Sequence, residues 1–258
     1  MKRGANLVLP GMAVLLLGGL LAGCASQGPE PKKDPMAEMA TKMRMAQAYL
    51  QAGRTKEALD VLDEAIIAAP ANAGLRNFYG QVCFMAGHNE SAEVAFRKAL
   101  EIDLDLSDAH NNLGALYDRT GRKDEAEKEY RLALAAPAYP TPEKARLNLG
   151  LLYASQGRDE EAIREYRMAV EISPKYYQAH FELAALLDRT GRIDEAVREY
   201  EVAAPGYGSS GEYFYRLGFG YFRLGDRFKA NENLKRAIEI SPGSEAAAKS
   251  DDLLKLMR

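Results

Sequence analysis

The sequence predicts an all-α protein built from six stacked helix pairs, and three observations support this prediction. First, the block Ala109–Tyr130 returns as Ala179–Tyr200 with 15 of 22 residues identical. Second, a small residue recurs at steps of 34, 34, 36, 34 and 34 residues, at Ala46, Gly80, Gly114, Gly150, Ala184 and Gly218. Third, an alanine follows each of these positions at a constant distance, at Ala58, Ala92, Ala126, Ala162, Ala196 and Ala230. Self-similarity at a fixed period of tens of residues indicates a repeat architecture.

Each unit has the pattern of two amphipathic helices joined by a tight turn. In the third unit Leu113, Leu116 and Tyr117 recur at the spacing of one helical face. Gly121 follows them and provides the positive φ that ends a helix at no steric cost. The small residues are expected where the two helices of a unit cross closely, so that a bulky side chain there would overpack the crossing.

This pattern resembles the tetratricopeptide repeat. The resemblance implies a right-handed α-solenoid in which the first helices line a concave groove, and in which each repeat touches mainly its neighbours. A C-terminal capping helix is expected at 245–258, where Leu253, Leu254 and Met257 would cover the last repeat. The six repeats, within 36–244, are expected at about 39–72, 73–106, 107–140, 143–176, 177–210 and 211–244.

Residues 1–23 have the layout of a secretory signal, with Lys2 and Arg3 followed by an apolar run. A retained membrane span is the alternative, but the run is short and broken by proline and glycine. Leu21-Ala22-Gly23-Cys24 matches the bacterial lipobox, which implies cleavage before Cys24 and its acylation, for example with palmitate. The next residue is Ala25, not aspartate, and by resemblance to Gram-negative lipoproteins this favours the outer membrane, facing the periplasm.

Residues 24–35 would then form a lipidated, flexible tether, because they are small, charged and rich in proline. The mature chain would carry 32 basic and 37 acidic residues, a net charge of −5. No basic stripe is present, which argues against nucleic acid as a partner. Cys83 would be the only remaining cysteine and is expected to be a buried thiol.

The sequence offers no constellation for catalysis. It lacks a phosphate loop, a G-x-S-x-G motif, an H-E-x-x-H motif and paired cysteines. His110 and His180 fall at the same position of two separate repeats, where a structural role is expected, and His88 falls in a turn. We therefore expect no enzyme activity, no metal, no small-molecule substrate and no cofactor beyond the covalent lipid at Cys24.

Function is instead expected from a protein partner bound in the groove. Met36, Met39 and Met43 share a face with Leu50, and flexible thioethers suit surfaces that accept varied apolar partners; Met45 is expected at a core position. The inward positions are predicted to be Met36, Met39, Met43, Gln47, Leu50, Asn77, Gln81, Phe84, Asn111, Ala115, Asp118, Leu147, Leu151, Ala154, Phe181, Ala185, Asp188, Tyr215, Phe219 and Phe222. The alternative is that the apolar members only pack across a tight superhelix. Asp118-Arg119 and Asp188-Arg189 could grip a peptide or neutralise each other.

The single irregular step contains three prolines and is expected to be a rigid, extended connection. Its residues Tyr139, Pro140, Thr141 and Pro142, followed by Asn148-Leu149-Gly150, resemble the type IV pilus biogenesis and stability lipoproteins (PilF/PilW-type pilotins). The Asn111-Asn112-x-Gly114 segment, the lipobox and the number of repeats resemble them too. The resemblance implies an outer-membrane chaperone that localises and assembles the pilus secretin. Two alternatives stay open, a general envelope adaptor for proteases or peptidoglycan enzymes, and a lipid-binding carrier.

Overall fold

The computed structural model describes residues 34–258, which fold into thirteen α-helices without a β-strand. The signal segment 1–23, Cys24 and nearly all of the predicted tether lie outside the described residues. The helices are α1 (Pro35–Gln51), α2 (Thr55–Ala68), α3 (Ala73–Met85), α4 (Asn89–Ile102), α5 (Ser107–Arg119), α6 (Lys123–Ala135), α7 (Pro142–Ser155), α8 (Asp159–Ile172), α9 (Tyr177–Arg189), α10 (Ile193–Tyr207), α11 (Gly211–Arg223), α12 (Arg227–Ile240) and α13 (Glu245–Leu256).

Successive helices pack as six hairpins, from α1 with α2 to α11 with α12, and each hairpin packs on the next. The thirteenth helix rests on α12 and α11. Ser244 caps it by accepting a hydrogen bond from the Ala247 N–H, and its own residue Leu253 is buried. The predicted fold class, an all-α repeat solenoid with a C-terminal capping helix, is confirmed. Among residues 34–258, no helix is long and apolar enough to span a bilayer.

The turn inside each hairpin depends on a glycine in the left-handed region. Gly121 has φ +82°, and its N–H donates to the Asp118 carbonyl at 3.1 Å while the Arg122 N–H donates to the Tyr117 carbonyl at 2.8 Å. A Cβ atom on Gly121 would meet nothing within 4 Å. The backbone conformation therefore requires glycine here, and packing does not.

The small residues of the first helices lie where the two helices of a hairpin cross. A Cβ atom on Gly150 would lie 2.5 Å from Cε1 of Tyr166, and one on Gly114 would lie 2.8 Å from Cδ1 of Tyr130. Both tyrosine side chains are almost completely buried. The ring thus fills the space that the missing side chain leaves, which explains why small and aromatic residues recur together.

A repeated polar cluster joins neighbouring hairpins. The Tyr117 hydroxyl donates to Glu93 at 3.1 Å, while Arg97 and Arg122 both pair with the same carboxylate, at 2.8 and 2.9 Å. Burial alone would raise the pKa of Glu93, but these donors outweigh burial and lower it. The same four residue types recur one repeat further on, at Glu127, Arg131, Tyr153 and Arg158.

The connection between α6 and α7 differs in two respects from the rigid, extended connection that was predicted. Pro142 belongs to the first turn of α7 and not to an extended segment, because a helix needs no N–H donor there. The linker is also bent, since the Tyr139 N–H donates to the Ala136 carbonyl at 3.3 Å. The Tyr139 ring is buried between Ala133 and Ala145.

The first helices form the inner side of the array. Neighbouring first helices contact each other at α3–α5, α5–α7 and α7–α9, whereas within the described residues no comparable contact joins two second helices. Helices that approach each other more closely lie on the inside of a curve. The surface along α1, α3, α5, α7, α9 and α11 is called the groove below.

Candidate functional site: the groove

The amino-terminal end of the groove is rich in methionine. Met36 is 67% exposed, whereas Met39, Met43 and Leu50 are half-buried against the core of the first repeat. Met45, expected in the core, is 44% exposed instead, because it directly precedes the buried anchor Ala46 and its side chain points away from the helix crossing. The first repeat therefore presents thioethers on two sides of α1.

Three predicted groove positions are buried, which corrects their assignment as partner-facing residues. Asn77 is 7% exposed, Asn111 8% and Leu147 only 2%. The reason is that neighbouring first helices approach closely at this level of the array. These side chains hold repeats together and leave little surface for a partner.

The two buried asparagines form a ladder along the array. Asn112 donates from Nδ2 to Oδ1 of Asn77 at 2.9 Å, and Asn148 donates in the same way to Asn111 at 3.0 Å. In each bond the acceptor is a predicted inward residue, and the donor lies in the next repeat, one residue after the equivalent inward position.

The sequence analysis did not assign this second position to the groove, although it directly follows each predicted inward residue. Its members are Asn112, Asn148, Glu182 and Arg216.

The carboxyl-terminal end of the groove is aromatic. On α11, the Tyr215 and Phe219 rings stack with centroids 6.1 Å apart, and Phe219 stacks on Phe222 at 6.4 Å. On α9, Phe181 stacks on Tyr207 with centroids 4.4 Å apart. All five rings are half-buried, and the four on α9 and α11 belong to the helices that form the groove.

Cations accompany these rings. The guanidinium carbons of Arg216 and Arg223 lie 5.9 Å from the centroids of Phe181 and Phe219, and Lys249 Nζ lies 5.8 Å from that of Tyr215. The guanidinium carbon of Arg119, in the third repeat, lies 3.5 Å from the centroid of the Phe84 ring in the second repeat. At the remaining predicted groove positions, Gln47 of the first repeat is exposed, and Gln81 and Leu151 in the middle of the array are half-buried.

The histidines at equivalent positions are part of cross-helix pairs. His110 Nδ1 lies 2.6 Å from Glu129 and its Nε2 lies 3.1 Å from the Leu104 carbonyl. His180 repeats the arrangement with Glu199 and the Pro174 carbonyl, at 2.6 and 3.2 Å. At the same register of the fourth repeat, Arg146 pairs with Glu165 at 2.7 Å. The two histidines therefore have structural partners, and residues 34–258 contain no group of three or more metal-binding side chains.

The Asp-Arg pairs at the ends of α5 and α9 do not neutralise each other. Asp118 pairs with Lys123, and Arg119 donates to Asn89. Asp188 pairs with Arg223 of the next repeat at 2.6 Å. Asp118 and Asp188 are therefore compensated by cations from the following turn or another helix, whereas Arg119 is held by the neutral side chain of Asn89.

Sequence comparison identifies the class of protein. Profiles of the tetratricopeptide repeat match residues 43–105, 107–138, 150–191 and 212–244. Together with the helix pairs, the turn glycines and the close crossings, these matches show that the chain is a tetratricopeptide-repeat protein. Such proteins are scaffolds that bind other proteins. No curated protein matches the sequence.

The fold is shared with solved structures over nearly their full length. The protein pilF of Pseudomonas aeruginosa is 21% identical, with a TM-score of 0.76 over 86% of this chain and 99% of that one. PilW, a widely conserved type IV pilus biogenesis factor, is 24% identical, with a TM-score of 0.72 over 84% of this chain and 98% of its own. YrrB, a tetratricopeptide-repeat protein with an unusual peptide-binding site, is also 24% identical and has a TM-score of 0.59 over 74% and 97%. At these identities the likeness concerns the fold.

Proposed function

We propose that this chain is a pilotin-type lipoprotein that binds subunits of the type IV pilus secretin and promotes their assembly in the outer membrane. The observation on which the proposal rests is the agreement between two independent resemblances. The Tyr139–Pro142 linker and the Asn111-Asn112-x-Gly114 segment resemble the pilotin family in sequence. The whole array of helices resembles pilF and PilW in fold.

The proposed mechanism divides the work among three parts of the chain. A lipid on Cys24 anchors the protein, since two or more acyl chains hold a protein stably at a membrane. The tether at 24–35 gives reach. The asparagine ladder and the polar clusters hold the solenoid in one conformation before binding. Most of the conformational entropy lost on binding is therefore that of the client segment.

Within the groove, we propose the methionine surface of α1 as the contact for the secretin. Met36 is exposed, and Met39 is half-buried next to it. Apolar side chains that remain partly exposed at the end of an array gain the most from burial by a partner. Thioethers also adapt to varied apolar shapes.

The test is affinity capture of solubilised envelope proteins on the lipidated protein, with identification by mass spectrometry. The expected result is that secretin is the dominant captured protein. In envelopes from a strain without the secretin gene this captured protein should be missing, while the tetratricopeptide-repeat protein is still present. Capture of proteases or peptidoglycan enzymes without secretin would overturn the proposal in favour of the envelope adaptor. Co-purified lipid in place of protein would favour the lipid carrier.

The anchor requires a separate experiment, because the groove can function whether or not the chain is acylated. Metabolic labelling with palmitate is expected to mark the wild-type protein and not Cys24→Ser. The wild type is expected in the outer-membrane fraction and the variant in the soluble periplasmic fraction. Equal labelling of both proteins would refute acylation at Cys24.

A further inference from the structure

A cavity of about 350 Å³ opens between α7, α9 and α11. It exists because Ala154 and Ala185 are small, whereas their equivalents in the sixth repeat are Phe222 and Phe219. Its lining is Ala154, Tyr166, Glu182, Ala185, Leu186, Asp188, Arg189 and Arg216. All of these residues except Tyr166 of α8 lie on α7, α9 and α11, the first helices of their repeats, so the cavity opens from the groove.

The other charged side chains that line this cavity are paired within the protein. Each pair joins neighbouring helices or successive turns of one helix, and each has an N–O distance within normal ion-pair range. The pairs are Arg223 with Asp188 at 2.6 Å, Arg189 with Asp159 at 2.6 Å and Arg216 with Glu212 at 2.7 Å. These groups contribute no net charge to the cavity.

Glu182 is the exception among the lining residues, since its carboxylate has no hydrogen bond and no ion pair. The register explains this. Glu182 occupies the position of Asn112 and Asn148 in the ladder, but its counterpart one repeat earlier is Leu147, which has no polar atom to offer. Burial raises the pKa of Glu182, and the nearby Arg216 only partly opposes this. A half-buried carboxylate without a donor is costly and is stabilised by any cation that reaches it.

We propose that this cavity is a subsite for one lysine or arginine side chain of a bound client peptide. The alkyl stem would lie along Ala154 and Ala185 while the charged head reaches Glu182, as long cationic side chains do on apolar surfaces. Residues flanking the cation would contact the half-buried rings of Phe181 and Tyr215. The occupant is therefore an extended segment with a single cation next to aromatic or aliphatic residues. The inference rests on the proposed function only in that the groove binds protein.

Charge complementarity favours a cation over an anion here. The guanidinium groups of Arg189 and Arg216 are already bonded to carboxylates, so an anionic ligand would have to compete with an internal partner. It would also approach the uncompensated charge of Glu182, and like charges at short range in a partly buried site repel strongly.

The test is selection of random linear peptides on the immobilised full-length protein in detergent, followed by binding measurements on the selected peptides. Wild-type protein is expected to select peptides with one lysine or arginine flanked by apolar residues. Glu182→Gln keeps the shape of the side chain and removes its charge, and is expected to bind these peptides about tenfold more weakly. Glu171→Gln, on the exposed face of α8, is the matched control and should bind them as the wild type does.

A second variant separates charge from space. Ala185→Leu would fill the cavity and leave Glu182 in place, so it is expected to lose the same peptides. Circular dichroism and thermal unfolding would establish that each variant is folded. Three outcomes would overturn the subsite. The wild-type protein would select acidic peptides or show no enriched pattern, or Glu182→Gln would select the same cationic peptides with equal affinity.

The outcome can be read separately from that of the secretin experiment. Protein that captures secretin but selects no cationic peptide would refute the subsite and leave the proposed function intact. Protein that selects cationic peptides but captures no secretin would refute the pilus role and leave the subsite intact.

Discussion

Asn148 donates a hydrogen bond from Nδ2 to Oδ1 of Asn111 at 3.0 Å and so joins the third and fourth repeats at the level where their first helices touch. Asn148→Ala would remove the donor and leave the Oδ1 atom of the buried Asn111 without a partner. We expect the free energy of unfolding to fall by about 1–3 kcal/mol. Urea unfolding followed by circular dichroism would measure this.

The control for this prediction replaces both partners. Asn111→Leu with Asn148→Leu removes the polar groups together, and a pair of apolar side chains of similar size can be nearly neutral. A double variant that is as unstable as Asn148→Ala would show that the ladder is not the source of the effect.

The crossing of Gly150 and Tyr166 leads to a second prediction. In the fifth repeat Ala184 occupies the equivalent position, with Tyr200 in place of Tyr166, so a methyl group can be accommodated there by a small shift. A branched side chain cannot, and Gly150→Val is expected to lower the free energy of unfolding by about 1–3 kcal/mol. Gly150→Ala is the matched control and should be far milder. Equal loss from both variants would contradict this account.

The pH dependence of stability follows from the surroundings of His110. Both atoms that its ring contacts, on Glu129 and Leu104, are acceptors, so satisfying both requires the doubly protonated imidazolium. Burial of the ring lowers its pKa, but the Glu129 carboxylate and the Leu104 carbonyl outweigh burial and the pKa is raised. The whole contribution of the protonated ring to stability is therefore present at pH values below the pKa of histidine in the unfolded chain, about 6.5. This contribution is lost as the pH rises through the higher native value.

His110→Gln tests this by thermal unfolding at a series of pH values. The Tm difference between wild type and variant is expected to be largest below about pH 6.5 and to shrink as the pH rises above it. His88→Gln, at the exposed start of α4, is the control for replacing a histidine outside such a pair. A Tm difference for His110→Gln that grows with pH would reverse the assigned sign.

The proposed secretin contact predicts the effect of a charge on α1. Met36 is 67% exposed, so Met36→Asp should leave the Tm unchanged and reduce secretin capture about tenfold, because an aspartate must be desolvated at the interface. Ile67 on the second helix of the same repeat is 82% exposed, and Ile67→Asp is its control for a charge outside the groove. Unchanged capture by Met36→Asp would remove this surface from the site.

The repeat architecture could be read from the sequence because it depends on local chemistry and on period. A turn glycine such as Gly121 needs its positive φ wherever the turn occurs, and a small residue such as Gly150 is needed wherever two helices cross beside a ring. The turn glycine and the small crossing residue recur in every unit, so each copy supports the others. A ring fills the crossing in the second to fifth units, and Leu62 and Leu234 take its place in the first and last. Pro142 was misplaced because proline suits both an extended segment and the first turn of a helix.

The candidate site was less accessible to sequence reasoning, because inward position alone does not decide exposure. Asn77, Asn111 and Leu147 were assigned correctly to the inner helices, but the distance between neighbouring helices buries them. The sequence analysis did not identify Glu182, because its lack of a hydrogen-bond partner depends on Leu147. That residue lies one repeat earlier and has no polar atom in its side chain. The sequence by itself determined the class of the protein, the helices and the inner face, because these follow from period and local conformation. Only the tertiary structure decided which inward groups are buried, paired or left open, because that depends on how closely each repeat packs on the next.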